Sequence, residues 1–473
     1  MIARPIRDYH SHIREFLTRV AEAKARQSRF VQRRSRLTGA LFAQILIWTV
    51  FQTKARTLQA YLDTLRALAP EVALSPQGLD ERFTPSAVAF VRSLFVEALA
   101  SKASLGERTG SLLTSFPALY ILDSTSVPLP ETLAERFRGW GGSASKAGAK
   151  LFLVLNWLTG TITQLHVSDG RTPDQKMGQT FLGAARTGAL WLFDLGFWSC
   201  GFLSEITRQG SAFLCRLQGK VTVREVVCGR DLPLNVDEWL HRAVGSKPVE
   251  RRIVLGQGAQ RVACRLIAFA VPEAVAAERR RKLRRKAQNQ GRTSTQSTLF
   301  RQGYSLFVTT ATKEQIPTKA VSELYRVRWQ VELLFKLAKS DAGLTSFTST
   351  KAERVLCEFY CVLIALLWVA QLRSLISVAI DDVSLVKLWR RSKPSLLIWA
   401  ADLRHGRGPS RFEHLLEALR RDAKPSKRRK YPSTRQRVEA LKLPHLLPSP
   451  EASRATALGP TSLGPELAQA CAP

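Results

Sequence analysis

The sequence predicts an α/β protein with helical regions on either side of a β-rich middle. Three observations carry this prediction. Residues 1–105 combine helical spacing of apolar residues with helix-start signals. Between about 118 and 310, short apolar runs alternate with turn residues. From about 317 to 376 the helical pattern returns. The length, 473 residues, and an apolar content of 45% suit more than one domain and a sizeable core.

In chain order, the basic run Lys24 to Arg36 precedes an apolar helix at 40–51 and a helix at Thr57–Leu68. Ser75-Pro76 and Thr84-Pro85 each set a capping hydroxyl before proline at the first helical position. Short helices with basic residues fit either a helix-turn-helix-like DNA reader or a plain bundle. Residues 106–116 are rich in Gly, Ser and Thr and read as a linker. Ala118–Leu122 is a short apolar strand that ends at Asp123. Leu151–Leu158 and Thr161–Val167 flank a Thr-Gly turn and predict a hairpin. Asp174–Thr187 suits a helix, Trp191-Leu-Phe a strand ending at Asp194, and Ala212–Leu217 a further strand. Residues 220–310 read as mostly β, interrupted by the basic run Arg279–Lys286. The span 380–442 is mixed and basic, with a dense run at Lys424–Lys430, and the Pro/Ala/Ser/Gly-rich tail after Pro444 suits disorder.

The charge narrows the function classes. With 71 Lys+Arg against 38 Asp+Glu, the formal charge is +33, which calls for a polyanionic partner, most commonly nucleic acid. A membrane surface is the rival. However, the longest apolar run, Phe359 to Ala370, is shorter than the about 20 residues a bilayer needs. The opening residues lack the apolar stretch of a signal peptide. The seven cysteines are odd in number and scattered, as expected of free, buried thiols in a reducing cytosol.

The candidate chemistry lies in three acids. Asp123 and Asp194 share a context, each ending a short apolar strand before small polar residues. On neighbouring strands they would come out side by side, where two carboxylates repel unless a cation lies between them. Asp169 and Asp174 are rivals for the second acid. The third acid comes from Tyr325-Arg-Val-Arg328-Trp-Gln-Val-Glu332-Leu-Leu-Phe-Lys-Leu-Ala-Lys339. On an α-helix, at about 100° per residue, Tyr325, Arg328, Glu332 and Lys339 fall within roughly 60° of one another. Such a face sets one carboxylate among three phosphate-binding groups. An exposed phosphate clamp at Arg328 and Lys339 is expected, and an ordinary solvated helix face is the alternative. With Glu332 packed on the sheet, the three acids could hold two Mg²⁺ about 3.5–4 Å apart for phosphoryl transfer.

These residues resemble those of DDE transposases. The spacing Tyr-x2-Arg-x3-Glu-x6-Lys at Tyr325, Arg328, Glu332 and Lys339 is the signature of the insertion-sequence-four family of bacterial transposases. Asp194-Leu-Gly-Phe-Trp-Ser is similar to that family's second-aspartate motif, with Leu195 where arginine is common. The basic stretch 279–292 and Gly303-Tyr-Ser-Leu-Phe-Val-Thr resemble the segment ahead of the signature helix, and the resemblance covers roughly 30–375.

The resemblance implies an α/β fold with a ribonuclease-H-like mixed sheet core and a β-rich insertion. A helical N-terminal domain would precede the core and a helical C-terminal region would follow it. The expected division is 1–105, DNA-binding helices; 106–219, the first part of the core; 220–310, the insertion; 311–376, the rest of the core with the glutamate helix; 377–443, a C-terminal region suited to dimerisation; and 444–473, a tail. It implies Asp123, Asp194 and Glu332 as catalytic metal ligands, Mg²⁺ or Mn²⁺ as cofactor, and double-stranded transposon-end and target DNA as partners. A homodimer acting at the bacterial nucleoid, in the cytoplasm and off the membrane, is expected. So is a sequence of strand cleavage, hairpin formation and strand transfer. Tyr304 is the candidate to stack on a flipped base, with Phe307 as runner-up. The rival readings are an inactive transposase-derived DNA-binding protein, a metal-dependent nuclease on the same fold, and a basic RNA-binding protein.

Overall fold

The computed structural model describes residues 4–100, 115–140, 145–219, 221–242, 247–376, 383–424, 432 and 434–441. Most of the expected linker at 106–116, most of the run Lys424–Lys430 and the tail after Pro444 lie outside the described residues.

The strands, in chain order, are β1 (Leu119–Leu129), β2 (Ala147–Asn156), β3 (Thr161–Asp169), β4 (Leu190–Phe193) and β5 (Ala212–Arg216), then β6 (Arg224–Val227), β7 (Arg230–Pro233), β8 (Val249–Leu255), β9 (Val262–Ala270) and β10 (Tyr304–Thr309). They form one ten-stranded mixed sheet in the order β3-β2-β1-β4-β5-β10-β9-β8-β6-β7. β2 and β3 form the expected hairpin; Gly160 in its turn, at φ +74°, adopts a conformation that glycine enters without penalty. β4 runs parallel to β1 and β5 parallel to β4, so β1 to β5 form a mixed half-sheet.

Two details differ from the sequence expectation. Asp123 does not end its strand: β1 continues to Leu129, pairing with β2 throughout, because β2 supplies a long antiparallel neighbour. The segment 220–310 is not a separate β unit, since β10 pairs with both β5 and β9 and so continues the central sheet outward. Its basic run lies on a 17-residue helix, Glu273–Asn289, with only Ala276 buried.

Side-chain alternation along the strands divides the interior. Leu119 and Ile121 of β1, with Leu190 and Leu192 of β4, face one core. Tyr120, Leu122, Trp191 and Phe193 face the other, under the helix Cys200–Arg208. The first core also holds the N-terminal helices, capped as the sequence indicates: Ser75 Oγ accepts from Gly78 N at 3.0 Å and Thr84 Oγ1 from Ala87 N at 3.3 Å. The helices Gly39–Gln52 and Pro85–Ala100 pack there with Ala352–Ile376 and with Leu385–Arg404 and Ser410–Asp422. Ala352–Ile376 is long and apolar enough to cross a membrane, but 94% of its most apolar window is buried inside the protein. Among the described cysteines Cys215, Cys264, Cys357 and Cys361 are buried and free, whereas Cys200 is half-buried and Cys228 exposed.

The expected boundary near residue 105 therefore separates elements in sequence but not in packing. Arg56, fully buried between two N-terminal helices, donates to Glu358 Oε2 at 3.3 Å and to the carbonyls of Ala342, Gly343 and Ser346 at 3.1, 2.7 and 3.2 Å. A fragment beginning near Gly106 would strip the apolar face of Ala352–Ile376 and leave Glu358 buried without Arg56. It is expected to collapse into an aggregating or molten species, read as loss of near-ultraviolet circular dichroism and of a cooperative melt. A folded, soluble fragment would show that residues 106 onward hold an independent core.

Candidate active site

The two aspartates are brought together by register. β1 and β4 are adjacent and parallel, with Leu119 opposite Leu190, Ile121 opposite Leu192 and Leu122 opposite Phe193. The next pair in step is Asp123 and Asp194. Asp123 continues the alternation of leucine and isoleucine that faces the helical core, Asp194 directly follows the last residue of β4, and the Asp194 charge acts on Asp123. Asp123 is 8% exposed. Asp194 stands at the end of β4 and caps the short 3₁₀ turn Leu195–Phe197, its Oδ1 accepting from Gly196 N at 2.9 Å.

The signature segment lies over this end of the sheet. It is not one uniform α-helix: α-helical Val321–Arg326 passes through a 3₁₀ stretch, Val327–Trp329, into Gln330–Lys336 and then a π-helical stretch, Leu337–Asp341. The changes of pitch shift the four signature residues out of a simple stripe. Tyr325 points inward: it is 6% exposed, and its hydroxyl donates to the Phe193 carbonyl at 3.1 Å, just ahead of Asp194. Burial pushes its pKa up to about 12. Arg328 donates through Nη1 to Asp123 Oδ2 at 2.7 Å and through Nη2 to Glu332 Oε1 at 3.0 Å. The expected exposed clamp is therefore only partly present, because the Arg328 side chain is 12% exposed while that of Glu332 is 52% exposed. Lys339 is half-buried, with its pKa lowered by burial.

The electrostatics place the acids in one another's field. Burial pushes the Asp123 carboxyl up to about 6, and repulsion from Asp194 and Glu332 adds to the rise. Arg328 and the Ser124 N–H act in the opposite direction. No three His, Cys, Asp or Glu side chains among the described residues already converge closely enough to hold one ion. Arg328 bridges Asp123 and Glu332.

The remaining candidates differ in their distance from the site. Tyr304, at the start of β10, is half-buried against Phe300, ring centroids 5.4 Å apart. Phe307 is 3% exposed and packs on Tyr325, so its ring is already covered. Asp174 is close to the site, hydrogen-bonded to the residue after Asp123, while Asp169 caps its own turn. Leu195, beside Asp194, is 40% exposed. One residue escaped the sequence reading: Trp329 is 65% exposed, next to Arg328, and lines a groove of about 520 Å³ with Glu332, Leu333, Arg326, Lys336 and Arg437. An aromatic on the polar side of the signature segment was the available signal.

Known proteins are similar to this chain in sequence. The chain is 28% identical over 361 residues to the transposase for insertion sequence element IS231F of Bacillus thuringiensis subsp. israelensis, covering 73% of this chain and 75% of that one. It is 26% identical over 360 residues to the transposase for insertion sequence element IS1151 of Clostridium perfringens, covering 72% and 75%. A solved piggyBac transposase synaptic complex with hairpin DNA aligns over 96% of this chain and 89% of that one, at 11% identity and a TM-score of 0.42, a distant likeness only. Residues 114–368, more than half of the 473, match the family described as transposase DDE domain, and they contain the paired aspartates and the glutamate helix. This chain belongs to the transposase DDE domain family and is a DNA transposase.

Proposed function

We propose that the chain cleaves transposon ends and joins the freed 3′ ends to target DNA in a divalent-metal-dependent reaction, with Asp123, Asp194 and Glu332 as the metal ligands. The observation that carries this reading is the parallel register that ends with Leu122 opposite Phe193, the residues before Asp123 and Asp194, with Arg328 and Tyr325 of the signature segment bonded to Asp123 and to the Phe193 carbonyl. The order β3-β2-β1-β4-β5, with β2 antiparallel and β4 and β5 parallel to β1, supports a ribonuclease-H-like core.

The residues fit a hard divalent cation. All three are carboxylates, the donors that Mg²⁺ and Mn²⁺ favour, and Arg328 already supplies positive charge between two of them. When bound, the ions would activate the attacking hydroxyl and neutralise charge on the reacting phosphate. The chain's own groups do the rest. Tyr325 fixes the Phe193 carbonyl and so the turn presenting Asp194. Arg328 holds Asp123 and Glu332 in place, and becomes available to a DNA phosphate once a cation satisfies them. The groove residues Arg326 and Lys336 lie beside exposed Trp329, which offers a stacking platform for an unpaired base, and we assign half-buried Lys339 a phosphate contact.

The test is an in vitro reaction with the inverted repeats that flank the gene, a supercoiled target and Mg²⁺ or Mn²⁺. Excision together with joined products supports the reading. Nicking without joining would favour a nuclease, and end binding without cleavage an inactive DNA-binding relative.

We assign end recognition to the N-terminal helices and general backbone contact to the helix Glu273–Asn289. Arg29, Arg33, Arg34 and Arg36 are exposed in the loop after Ala21–Gln27, and Arg284, Arg285 and Lys286 are exposed on the long basic helix. Alanine at the first set is expected to lower the preference for specific over scrambled ends in a competition gel shift. Alanine at the second should weaken both DNAs alike and reduce the log–log salt slope by about 0.9 for each phosphate that is no longer neutralised. Exchanged behaviour of the two sets would reverse the assignment. Synapsis of two ends calls for a homodimer, for which the C-terminal helices are the proposed interface.

A further inference from the structure

A fourth carboxylate stands near Asp194 and against the residue that follows Asp123. Asp174 opens the short helix Asp174–Met177. Its Oδ1 accepts from Ser124 Oγ at 2.7 Å and pairs with Lys150 Nζ at 2.8 Å. Lys150, on β2, also donates to the Thr172 carbonyl at 3.1 Å. Ser124 follows Asp123 on β1, and its N–H donates to Asp123 Oδ1 at 2.8 Å. The other oxygen of Asp174 faces the turn after Asp194. A Cβ at Gly196 would lie 2.7 Å from Asp174 Oδ2 and 3.0 Å from Asp194 Oδ1, so both carboxylates crowd the place of one missing methyl group.

We propose that Asp174, neutralised by Lys150, is a positioning residue of the strand-cleaving site: it ties β1 and β2 to the turn after β4 and fixes the spacing of the Asp123 and Asp194 carboxylates. The inference rests on those two aspartates being the metal ligands. Left alone, adjacent carboxylates push apart, and a misplacement of about 1 Å can cost about a hundredfold in rate. Asp174 opposes that drift through Ser124 on one side and through close approach to the Gly196 turn on the other. The Lys150 and Asp174 side chains are only 15% and 22% exposed, so their pairing is shielded from water and salt. Gly196 follows as a requirement, because any side chain there must displace Asp174 or Asp194.

The test uses full-length protein. Mn²⁺ binding is measured by calorimetry without DNA, alongside thermal melting, end binding by gel shift, and cleavage rate as Mn²⁺ is raised. Asp174→Asn and Gly196→Ala are each expected to weaken Mn²⁺ binding by about 10- to 100-fold, the range for outer-shell partners of metal ligands. End binding should be unchanged and cleavage should recover at high Mn²⁺, while Asp174→Asn should melt lower because the shielded Lys150 loses its charged partner. Mn²⁺ affinity and cleavage within threefold of the wild type in both variants would overturn the proposal. Should Asp174→Asn fail to fold, Gly196→Ala decides alone. Asp123→Asn is the control. If it loses Mn²⁺ binding while the other two variants keep it, only the positioning role falls. If it binds as tightly as the wild type, or the wild type binds no Mn²⁺, the reading of the acids fails and this inference with it.

Discussion

Asp123→Asn, Asp194→Asn and Glu332→Gln should each abolish strand cleavage, by about 10³-fold or more, or roughly 4 kcal/mol of transition-state stabilisation at 1.4 kcal/mol per decade. End binding should survive in all three. The substitutions are nearly isosteric, and Asp123 and Asp194 directly follow the apolar pairs that set the β1–β4 register. The three variants should still differ in stability. In Asp123→Asn the 2.7 Å pairing with Arg328 becomes neutral on one side, leaving a guanidinium that is 12% exposed with less compensation. Glu332 is 52% exposed, so Glu332→Gln should melt close to the wild type. Cleavage that persists in any one variant removes that residue from the proposed site. Absence of end binding together with cleavage would mean that the acid holds the fold rather than the reaction.

The second large effect is expected far from the reacting phosphate. Arg56→Ala should destabilise the protein by about 3–5 kcal/mol, the usual consequence of breaking a buried ion pair from one side. The Arg56 and Glu358 side chains are both 0% exposed, and the guanidinium also satisfies three carbonyls between Ala342 and Ser346. Arg354 Nε remains on Glu358 Oε1 at 3.1 Å, so the glutamate keeps one partner, and the Gly343 carbonyl keeps the Ser346 N–H at 3.0 Å, while the Ala342 and Ser346 carbonyls lose their guanidinium donor. Arg56→Lys should recover only part of the stability, since one ammonium cannot match a planar fork facing several acceptors. Urea unfolding monitored by tryptophan fluorescence measures this. A change under about 1 kcal/mol, the net worth of a single ordinary hydrogen bond, would show that water or Arg354 takes over the role of the guanidinium. The Ala342–Ser346 loop directly follows the π-helical stretch carrying Lys339, so Arg56→Ala should also slow cleavage at temperatures where the protein remains folded.

Local chemistry along the chain determined much of this protein by itself. Short apolar runs ending in aspartate marked the strands of Asp123 and Asp194, because a strand covered on both faces is apolar at every position. Hydroxyl-before-proline pairs marked the helix starts at Ser75 and Thr84, because a cap is satisfied within three residues. The spacing of Tyr325, Arg328, Glu332 and Lys339 marked the segment that lies over the sheet, and the excess of 33 positive charges marked a polyanionic partner.

Tertiary structure alone decided what depends on residues far apart in the chain. The pairing of β1 with β4, which sets the two aspartates side by side, joins distant segments and is written in neither strand. Tyr325 reads as a phosphate-binding group because its neighbours are charged, but it is buried because Phe193 and Phe307 meet it from other strands. Asp174 reads as a rival to Asp194, and it becomes a neighbour only through Ser124, Lys150 and the space left by Gly196. The N-terminal helices read as a domain of their own, yet they share a core with Ala352–Ile376, far along the chain. Apolar residues record that they must be buried but not against what, since the hydrophobic effect has no direction and only packing and register choose the partner.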